Sequence, residues 1–242
     1  MYGFGYTTLI NSMKKGVVTP SYPASLKLFI DAGNPLSYSG SGTTVTDLTA
    51  TQNGTLVNGT SYSSADGGSF VFDGINDYLS FPDNSFNFQA FTVEMWFKKA
   101  TTSTQMLFNN FDISGGNQYG VQLMFYSGRF DLLCYLGSGA SALEIYPSNV
   151  PTNGTWYHVQ IRKVAGGNLT IWLNGSLIGT LATTSNVVYS ANCKSVIGAQ
   201  QYVSTTNFFY NGNVSMCRVY NVANTDAEML SNFNEFKSRY GY

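Results

Sequence analysis

Hydrophobic and polar residues alternate with a period of two along much of this chain, which is the pattern of a β-strand with one buried face. The clearest case is residues 91–99, where the sequence reads Phe-Thr-Val-Glu-Met-Trp-Phe-Lys-Lys. Shorter runs of the same kind lie at residues 69–73 and 78–81. The pattern predicts further strands at residues 26–31, 105–111, 119–126, 129–135, 142–146, 155–163, 168–173, 177–181 and 213–220.

The residues between these runs favour tight turns. Residues 73–77 read Asp-Gly-Ile-Asn-Asp, and Gly, Asn and Asp tolerate the left-handed backbone that a corner needs. Asn174-Gly175 lies between two predicted strands and is the strongest short hairpin signal in the chain. Ser127-Gly128 has the same spacing between two others. Short turns between neighbouring strands predict antiparallel sheets.

Two segments lack the alternating pattern. Residues 1–24 combine Gly, aromatic residues and a Pro-punctuated linker, so we expect a short arm ahead of one domain at residues 25–242. The arm either frays or docks on a neighbouring subunit, and docking would use its aromatic residues, Tyr2, Phe4, Tyr6 and Tyr22. Residues 32–68 are rich in Gly, Ser, Thr and Asn. We expect long loops there, held by Leu48, Leu56, Val57 and Tyr62.

One helix is predicted at the end of the chain. Thr225 and Glu228 have the spacing of a capping box, in which each side chain bonds the other residue's backbone amide. Apolar residues then recur near the helical period at Met229, Leu230, Phe233, Phe236 and Tyr240, and Gly241 stands where a C-terminal cap belongs. About a dozen strands and one short C-terminal α-helix predict an all-β fold, an antiparallel two-sheet β-sandwich.

The composition agrees with a β protein and excludes some partners. The 242 residues include 17 Tyr, 17 Phe and 25 Gly, while only 10% are charged and the net charge is −1. A typical globular protein has about 25% charged residues, so Ser, Thr and Asn do most of the solvating here. We therefore expect no nucleic-acid partner. No run approaches the 18 apolar residues that a membrane span needs.

The cysteines and the first residues favour synthesis in a reducing cytoplasm. Cys134, Cys193 and Cys217 show no paired spacing, so we expect buried free thiols rather than a disulfide framework. The first five residues, Met-Tyr-Gly-Phe-Gly, lack the basic and apolar regions of a signal peptide. An Asn/Ser/Thr-rich composition explains the several Asn-x-Ser/Thr triplets better than glycosylation does.

Several motifs resemble a known family. Residues 70–79 read Phe-Val-Phe-Asp-Gly-Ile-Asn-Asp-Tyr-Leu, residues 154–159 read Gly-Thr-Trp-Tyr-His-Val, and residues 171–175 read Ile-Trp-Leu-Asn-Gly. With residues 91–97 and 212–221 they resemble, in order, the laminin-G-like, concanavalin A-like lectin/glucanase jelly rolls. The resemblance covers roughly residues 26–240 and implies a jelly roll. It does not fix a function, because lectins, glycanases, adhesion modules and capsid parts share this fold.

The start of the domain resembles a narrower group. Residues 28–34, Leu-Phe-Ile-Asp-Ala-Gly-Asn, and the stretch from there to Leu48 are similar to such domains in bacteriophage virion proteins. This resemblance implies a non-enzymatic structural protein of the virion, in a decoration, neck or tail position. Its partners would then be other virion proteins and further copies of itself. It would be synthesised in the host cytoplasm. A free carbohydrate-binding module is the alternative function.

Aromatic side chains on a concave sheet or in loops are the candidates for carbohydrate binding, because their faces stack on sugar rings. These candidates are Trp96, Tyr119, Tyr126, Tyr202 and Tyr210, with Tyr135, Tyr146 and Phe208 in similar contexts. A cell-surface glycan is the partner that they would bind. The alternative is ordinary packing, because a sandwich with 15% aromatic residues needs many of them in its core.

A calcium site is the one metal site that the sequence suggests. Asp73, Asn76 and Asp77 gather oxygen ligands of the kind that Ca²⁺ takes. The alternative is that Asp73 and Asn76 cap their own turn while Asp77 bonds nearby amides. We expect no other cofactor.

The sequence offers little for catalysis, and we expect no enzyme. Glycosidases need two carboxyl groups roughly 5–10 Å apart, and no run of alternating carboxylates occurs here. Glu94 has no carboxylate neighbour in sequence, so we expect it to pair with a base such as Arg162 or Arg218. His158 is the only histidine, and we expect a structural role for it at a sheet surface. A glycanase remains the third and weakest hypothesis.

Overall fold

A computed structural model describes residues 21–242 of the chain as a β-sandwich. In chain order its strands are β1 (Leu26–Asp31), β2 (Thr44–Val45), β3 (Gly54–Val57), β4 (Ser61–Ser63), β5 (Ser69–Asp73), β6 (Tyr78–Ser80), β7 (Phe91–Lys99), β8 (Gln105–Ser114), β9 (Asn117–Tyr126), β10 (Arg129–Leu136), β11 (Ala142–Ile145), β12 (Tyr157–Lys163), β13 (Leu169–Leu173), β14 (Ser176–Leu181), β15 (Lys194–Ile197), β16 (Gln200–Tyr202), β17 (Thr205–Asn207) and β18 (Asn211–Tyr220). One α-helix follows, α1 (Asp226–Phe236), and a 3-10 turn continues it over Lys237–Tyr240.

The strands form two eight-stranded antiparallel sheets. Sheet A has the order β14-β13-β12-β7-β18-β5-β4, and β1 pairs with the second half of β18. Sheet B has the order β11-β10-β9-β8-β15-β6-β3-β2. A third, two-stranded sheet is the hairpin β16–β17. The predicted class, a two-sheet antiparallel sandwich with a short C-terminal helix, is confirmed.

The alternating pattern located the long strands well and missed the short ones. All the strands predicted from a period of two are present, with ends that shift by a few residues. Residues 32–68 are not simply loops, because β2, β3 and β4 lie there, and β15 to β17 were not predicted at all. These six strands are only 2–4 residues long, too short to show a period.

One polar residue organises much of the segment that was predicted as loops. The buried carboxylate of Asp47 accepts hydrogen bonds from the backbone amides of Phe29, Thr49, Thr51 and Gln52. These bonds depress the pKa of Asp47 against the opposing effect of its burial. The segment therefore folds through a side chain that substitutes for a missing backbone ladder.

The main core lies between the two sheets. Each long strand sends every second side chain inward, and on β7 these are Phe91, Val93, Met95 and Phe97. Full burial of one such side chain contributes about 1.5–3 kcal/mol of transfer free energy. The cysteines, Cys134, Cys193 and Cys217, are all free and buried, as predicted.

Helix α1 covers the outer face of sheet A. The predicted capping box is present, because Thr225 accepts from the Glu228 amide and the Glu228 carboxylate accepts from the Thr225 amide. Met229 and Phe233 are buried on the helix face that meets the sheet. Gly241 ends the following turn with φ +85°, as a C-terminal cap requires. No helix in residues 21–242 is long and apolar enough to cross a membrane.

Hairpin β16–β17 packs on part of the outer face of sheet B. The side chain of Asn109 on β8 donates to the carbonyl of Gln201, and the ring of Tyr202 packs edge-on against Phe111 at 5.9 Å. Beneath it the Tyr135 hydroxyl donates to Gln122, whose amide donates to Asn109. This polar row is buried, so it is part of the packing rather than an open groove.

Candidate functional site

The aromatic candidates are distributed very differently from the sequence expectation. Trp96 and Tyr210 are both 0% exposed, so the prediction that they offer a ring to a ligand is wrong for this structure. Trp96 does face outward from sheet A, but the C-terminal turn covers it and Tyr240 stacks on it at 4.0 Å. Tyr210 lies in the main core against Phe72.

The remaining candidates belong to sheet B or the hairpin that packs on it. Tyr119 and Tyr202 are partly buried, and Tyr126 is 46% exposed. Tyr146, which follows β11, is 57% exposed. Only Tyr126 and Tyr146 therefore combine a large exposed ring with a charged neighbour, and both have the same one, Arg129.

Strand pairing explains how Arg129 comes to lie beside Tyr126. The two-residue loop Ser127-Gly128 joins β9 to β10 with φ values of +48° and +82°, which is the backbone of a type I′ hairpin turn. The register then pairs Tyr126 with Arg129 directly across the two strands. Side chains at paired positions project from the same face of a sheet, so the tyrosine ring and the guanidinium meet there.

The pairing of β11 with β10 adds two carboxylates to this position. Phe130, Leu132 and Cys134 point into the main core, so Asp131, which alternates with them, projects from the outer face. Glu144 on β11 pairs with Leu133, also on that face. We call Tyr126, Arg129, Asp131, Glu144 and Tyr146 the Arg129 cluster. Four of these residues belong to strands β9, β10 and β11, and Tyr146 directly follows β11.

The geometry of the Arg129 cluster is that of one cation between two anions and two rings. An Arg129 Nη atom lies 2.8 Å from Asp131 Oδ2 and 3.3 Å from Glu144 Oε1. The guanidinium carbon lies 5.8 Å from the centre of the Tyr126 ring and 4.7 Å from that of Tyr146. Both contacts are within the range of a cation–π interaction.

Two buried polar atoms of the Arg129 cluster have no hydrogen-bond partner among the described residues. Asp131 is almost fully buried, and its Oδ1 has no hydrogen-bond partner among residues 21–242. Arg129 Nε is likewise buried and unpartnered there. Burial raises the pKa of Asp131, and the nearby Arg129 opposes that rise. A buried carboxylate oxygen without a donor is uncommon in folded proteins.

Chemically, the Arg129 cluster can bind a polyhydroxylated ring. Exposed tyrosine faces stack on the apolar face of a sugar, while carboxylates and a guanidinium accept and donate hydrogen bonds to its hydroxyls. Sequence reasoning selected Tyr126 and considered Tyr146, but missed Arg129, Asp131 and Glu144. The hairpin spacing around Ser127-Gly128 was the signal that could have placed Arg129 beside Tyr126.

The residues proposed for calcium bond to their own turn. Asp73 Oδ1 accepts from the amides of Ile75 and Asn76, and Asp77 Oδ2 accepts from the amide of Asp73. Burial raises the pKa of Asp77, and Asp73 raises it further. Within residues 21–242 no group of three or more His, Cys, Asp or Glu side chains is arranged to hold a metal ion. Calcium binding stays a prediction.

Glu94 has the partner that its sequence context predicted. Its Oε1 lies 3.2 Å from Arg218, and its Oε2 accepts from Gln160 at 3.1 Å. His158 is structural, but it lies fully buried beneath α1 rather than at an open sheet surface. Burial, with the nearby Arg218 acting in the same direction, lowers the pKa of His158 to about 3. Neither residue is accessible to a substrate.

Of the predicted arm residues, Tyr22 alone is described. Its ring packs edge-on against Phe29 of the same chain at 5.5 Å. Tyr22 thus contacts its own domain. Tyr2, Phe4 and Tyr6 lie outside the described residues.

The chain resembles known proteins in one family model and in its fold. A family model of the concanavalin A-like lectin/glucanases superfamily matches residues 72–229. No curated protein sequence matches the chain. Solved structures do match, among them eight at 12–18% sequence identity.

Three solved structures illustrate the likeness. Domain 4 of an extracellular arabinanase from Geobacillus stearothermophilus, in complex with arabinotriose, has a TM-score of 0.64 at 18% identity, and the match covers 85% of this chain and 97% of that domain. The binding domain of botulinum neurotoxin DC, in complex with SialylT, has a TM-score of 0.64 at 15% identity. The match covers 87% of this chain and 51% of the toxin domain. A mutant Trypanosoma rangeli sialidase displaying trans-sialidase activity has a TM-score of 0.62 at 16% identity, and the match covers 90% of this chain and 34% of the sialidase. This chain thus spans nearly all of the arabinanase domain, half of the toxin domain and a third of the sialidase.

Proposed function

The chain belongs to the concanavalin A-like lectin/glucanases superfamily, and from that premise we propose that it binds carbohydrate without cleaving it, through the Arg129 cluster. The observation that carries the proposal is the pair of exposed tyrosine rings, Tyr126 and Tyr146, on either side of one half-exposed arginine. Loop and edge positions of a rigid sandwich are where binding residues commonly lie.

The solved structures support carbohydrate binding as a class. One of the similar domains is in complex with arabinotriose, and another is in complex with SialylT. These likenesses are of fold, and the fold alone does not carry a ligand from one protein to another. The assignment to the Arg129 cluster therefore depends on the local chemistry of this chain.

A binding experiment on the two tyrosines tests this proposal. We expect arabinotriose or a longer neutral oligosaccharide to bind the full chain in calorimetry, and the double variant Tyr126→Ala/Tyr146→Ala to bind at least about tenfold more weakly. Tyr242→Ala is the matched control, because Tyr242 is 45% exposed but lies over sheet A. Equal affinity of wild type and double variant, measured on folded protein, would overturn the assignment of the site.

A glycanase is a second candidate, favoured by one observation. Asp131 and Glu144 both contact the same nitrogen of Arg129, so two carboxylates do lie close together although they are distant in sequence. The guanidinium, however, lies between them, where a glycosidic bond would have to sit between an acid and a nucleophile or base. Release of reducing ends from an oligosaccharide, lost in Asp131→Asn, would favour the glycanase over the binding module.

A structural role in a virion is the narrower proposal. It is supported by the resemblance of residues 28–48 to the start of such domains in bacteriophage virion proteins, and by the low charge of the chain. In this role the protein occupies a decoration, neck or tail position, is made in the host cytoplasm, and contacts other virion proteins and its own copies through the arm.

Two measurements test the virion proposal independently of sugar binding. Mass spectrometry of purified particles should find the protein, and its absence there would remove this role. Deletion of residues 1–24 should abolish incorporation into particles while leaving carbohydrate binding intact. Loss of carbohydrate binding in the same deletion would show that the arm belongs to the domain.

A further inference from the structure

The charges of the Arg129 cluster restrict the sugars that it can accept. One guanidinium lies among two carboxylates, so the cluster has a net charge of −1 when all three groups are ionised. Asp131 sits deepest, while the side chains of Arg129 and Glu144 are 43% and 37% exposed. An incoming carboxylate would find the only cation of the cluster already paired twice and would be repelled by Glu144 at the surface.

Two buried atoms of the Arg129 cluster lack a partner, and a ligand group reaches them only if the half-exposed Arg129 side chain shifts. Asp131 Oδ1 is a hydrogen-bond acceptor, and Arg129 Nε is a donor on the same ion pair. A hydroxyl group both donates and accepts, so one hydroxyl can satisfy either atom or bridge the two. A carboxylate is acceptor-only, so it cannot bond Asp131 Oδ1, and an ammonium group is donor-only, so it cannot accept from Arg129 Nε.

We propose that the Arg129 cluster selects uncharged, hydroxyl-rich glycans and rejects glycans that carry sialic or uronic acid at the contact position. This inference rests on the proposed carbohydrate binding and adds its ligand class. Tyr126 and Tyr146 hold the sugar by its apolar faces, and a shift of the Arg129 side chain lets Asp131 Oδ1 accept a hydrogen bond from one of its hydroxyls.

A matched pair of ligands tests the selection. Calorimetry on the full chain compares SialylT with the same glycan after removal of its sialic acid, and a neutral hexose trisaccharide with the uronic acid trisaccharide of the same linkage. We expect each neutral probe to bind at least about tenfold more tightly than its acidic counterpart at low salt. The difference between the members of a pair should narrow as NaCl rises from about 50 to 500 mM, because salt screens the repulsion from an exposed carboxylate.

One exposed substitution isolates the electrostatic part of the argument. Glu144→Gln removes a negative charge and leaves the Asp131–Arg129 pair intact, so we expect acidic probes to gain at least about threefold in affinity while neutral probes change less. Asp83→Asn is the matched control, because Asp83 is an exposed carboxylate in another ion pair, with Lys194. Asp83→Asn should leave the ratio of neutral to acidic affinity unchanged.

The outcomes separate this inference from the proposed function. Two results together support both the proposed function and the selection of neutral glycans. Neutral probes bind tightly and lose that binding in Tyr126→Ala/Tyr146→Ala, and acidic probes bind weakly to the wild type. Acidic probes that bind as tightly as neutral ones, or more tightly, overturn the selection and leave carbohydrate binding in place. No binding of any probe overturns the proposed function itself. An unchanged ratio in Glu144→Gln would overturn the electrostatic explanation.

Discussion

The two faces of the sandwich each contain an arginine between two aromatic rings and two carboxylates, but only one of these clusters is open. On sheet A, Arg218 lies 4.4 Å from the Phe29 ring and 4.7 Å from the Phe236 ring, and it pairs with Glu94 and Glu235. We call these five residues the Arg218 cluster. Its composition repeats that of the Arg129 cluster almost group for group.

Burial and hydrogen bonding distinguish the two clusters. The Arg218 side chain is 6% exposed beneath α1, against 43% for Arg129. Both carboxylate oxygens of Glu94 meet a donor, from Arg218 and Gln160, whereas Asp131 Oδ1 meets none among the described residues. The arginine Nε is buried and unpartnered in both clusters, so the carboxylates make the difference. The same groups thus form a closed structural cluster where a helix completes them and a candidate binding site where nothing does. The following predictions test that contrast.

The largest expected effect comes from removing each arginine. Arg218→Met leaves Glu94 buried without its cation, which in other proteins costs about 3–5 kcal/mol of unfolding free energy. Protonation of Glu94, whose pKa burial already raises, would limit the loss to the lower end. Arg129→Met should cost less, because Arg129 is 43% exposed and water can reach the site that it leaves, although the buried Asp131 then also loses its cation. Urea denaturation measures both, and equal losses would contradict the contrast.

A smaller effect should appear on acidification, through His158. Its folded-state pKa of about 3 lies below that of an unfolded histidine, because the ring is buried against Trp96 and near Arg218. The unfolded state therefore takes up a proton from about pH 6.5 downward while the folded state does not. The stability that His158 contributes is complete above that pH and is lost as the pH falls through 3, by at most about 5 kcal/mol.

The variant His158→Phe keeps the ring stack and removes the titration. We expect its unfolding free energy to fall less between pH 7 and 4 than that of wild type. Glu94 works in the opposite direction, since a carboxyl with a raised folded-state pKa gains stability as the pH falls. Glu94 Oε2 lies 3.6 Å from His158 Nε2, so Glu94→Gln and His158→Phe/Glu94→Gln are measured beside wild type and His158→Phe to separate the two contributions. Parallel pH profiles would rule out His158 as the source of acid sensitivity.

The helix that closes the Arg218 cluster provides the next test. Thr225→Ala removes the acceptor for the Glu228 amide and should lower the unfolding free energy by about 1 kcal/mol. Thr225→Ser keeps an oxygen in the same place and should lose much less. Thermal denaturation followed by tryptophan fluorescence suits this measurement, because Trp96 and Trp156 both lie under the C-terminal segment. Equal losses in both variants would remove the capping explanation.

Much of the Arg218 cluster and its cover could be predicted from sequence. The alternation in β7 placed Glu94 and Trp96 on one face, and the capping box located the start of α1 within a residue. The alternating pattern does not predict which other segment packs on that face. Trp96 was therefore expected to be open, whereas the C-terminal segment, far away in sequence, covers it.

The Arg129 cluster was harder to predict for a different reason. Tyr126 and Arg129 are joined by a local turn, which the sequence does encode. Glu144 reaches the cluster only through the register of β10 with β11, and that register is set by which side chains enter the main core. A site that forms through the pairing of separate strands has no fixed residue spacing in the sequence, so no sequence motif predicts it.

The smallest effect compares the outer carboxylate of each cluster. Glu144→Gln should change the unfolding free energy by less than about 0.5 kcal/mol, because both members of its ion pair are largely exposed. Glu235→Gln should cost about 1 kcal/mol, because its partner Arg218 is buried and loses a charge-assisted hydrogen bond. Urea denaturation of the two variants beside wild type measures the difference. A Glu144→Gln variant that is as destabilised as Glu235→Gln would mean that the Arg129 cluster also stabilises the fold.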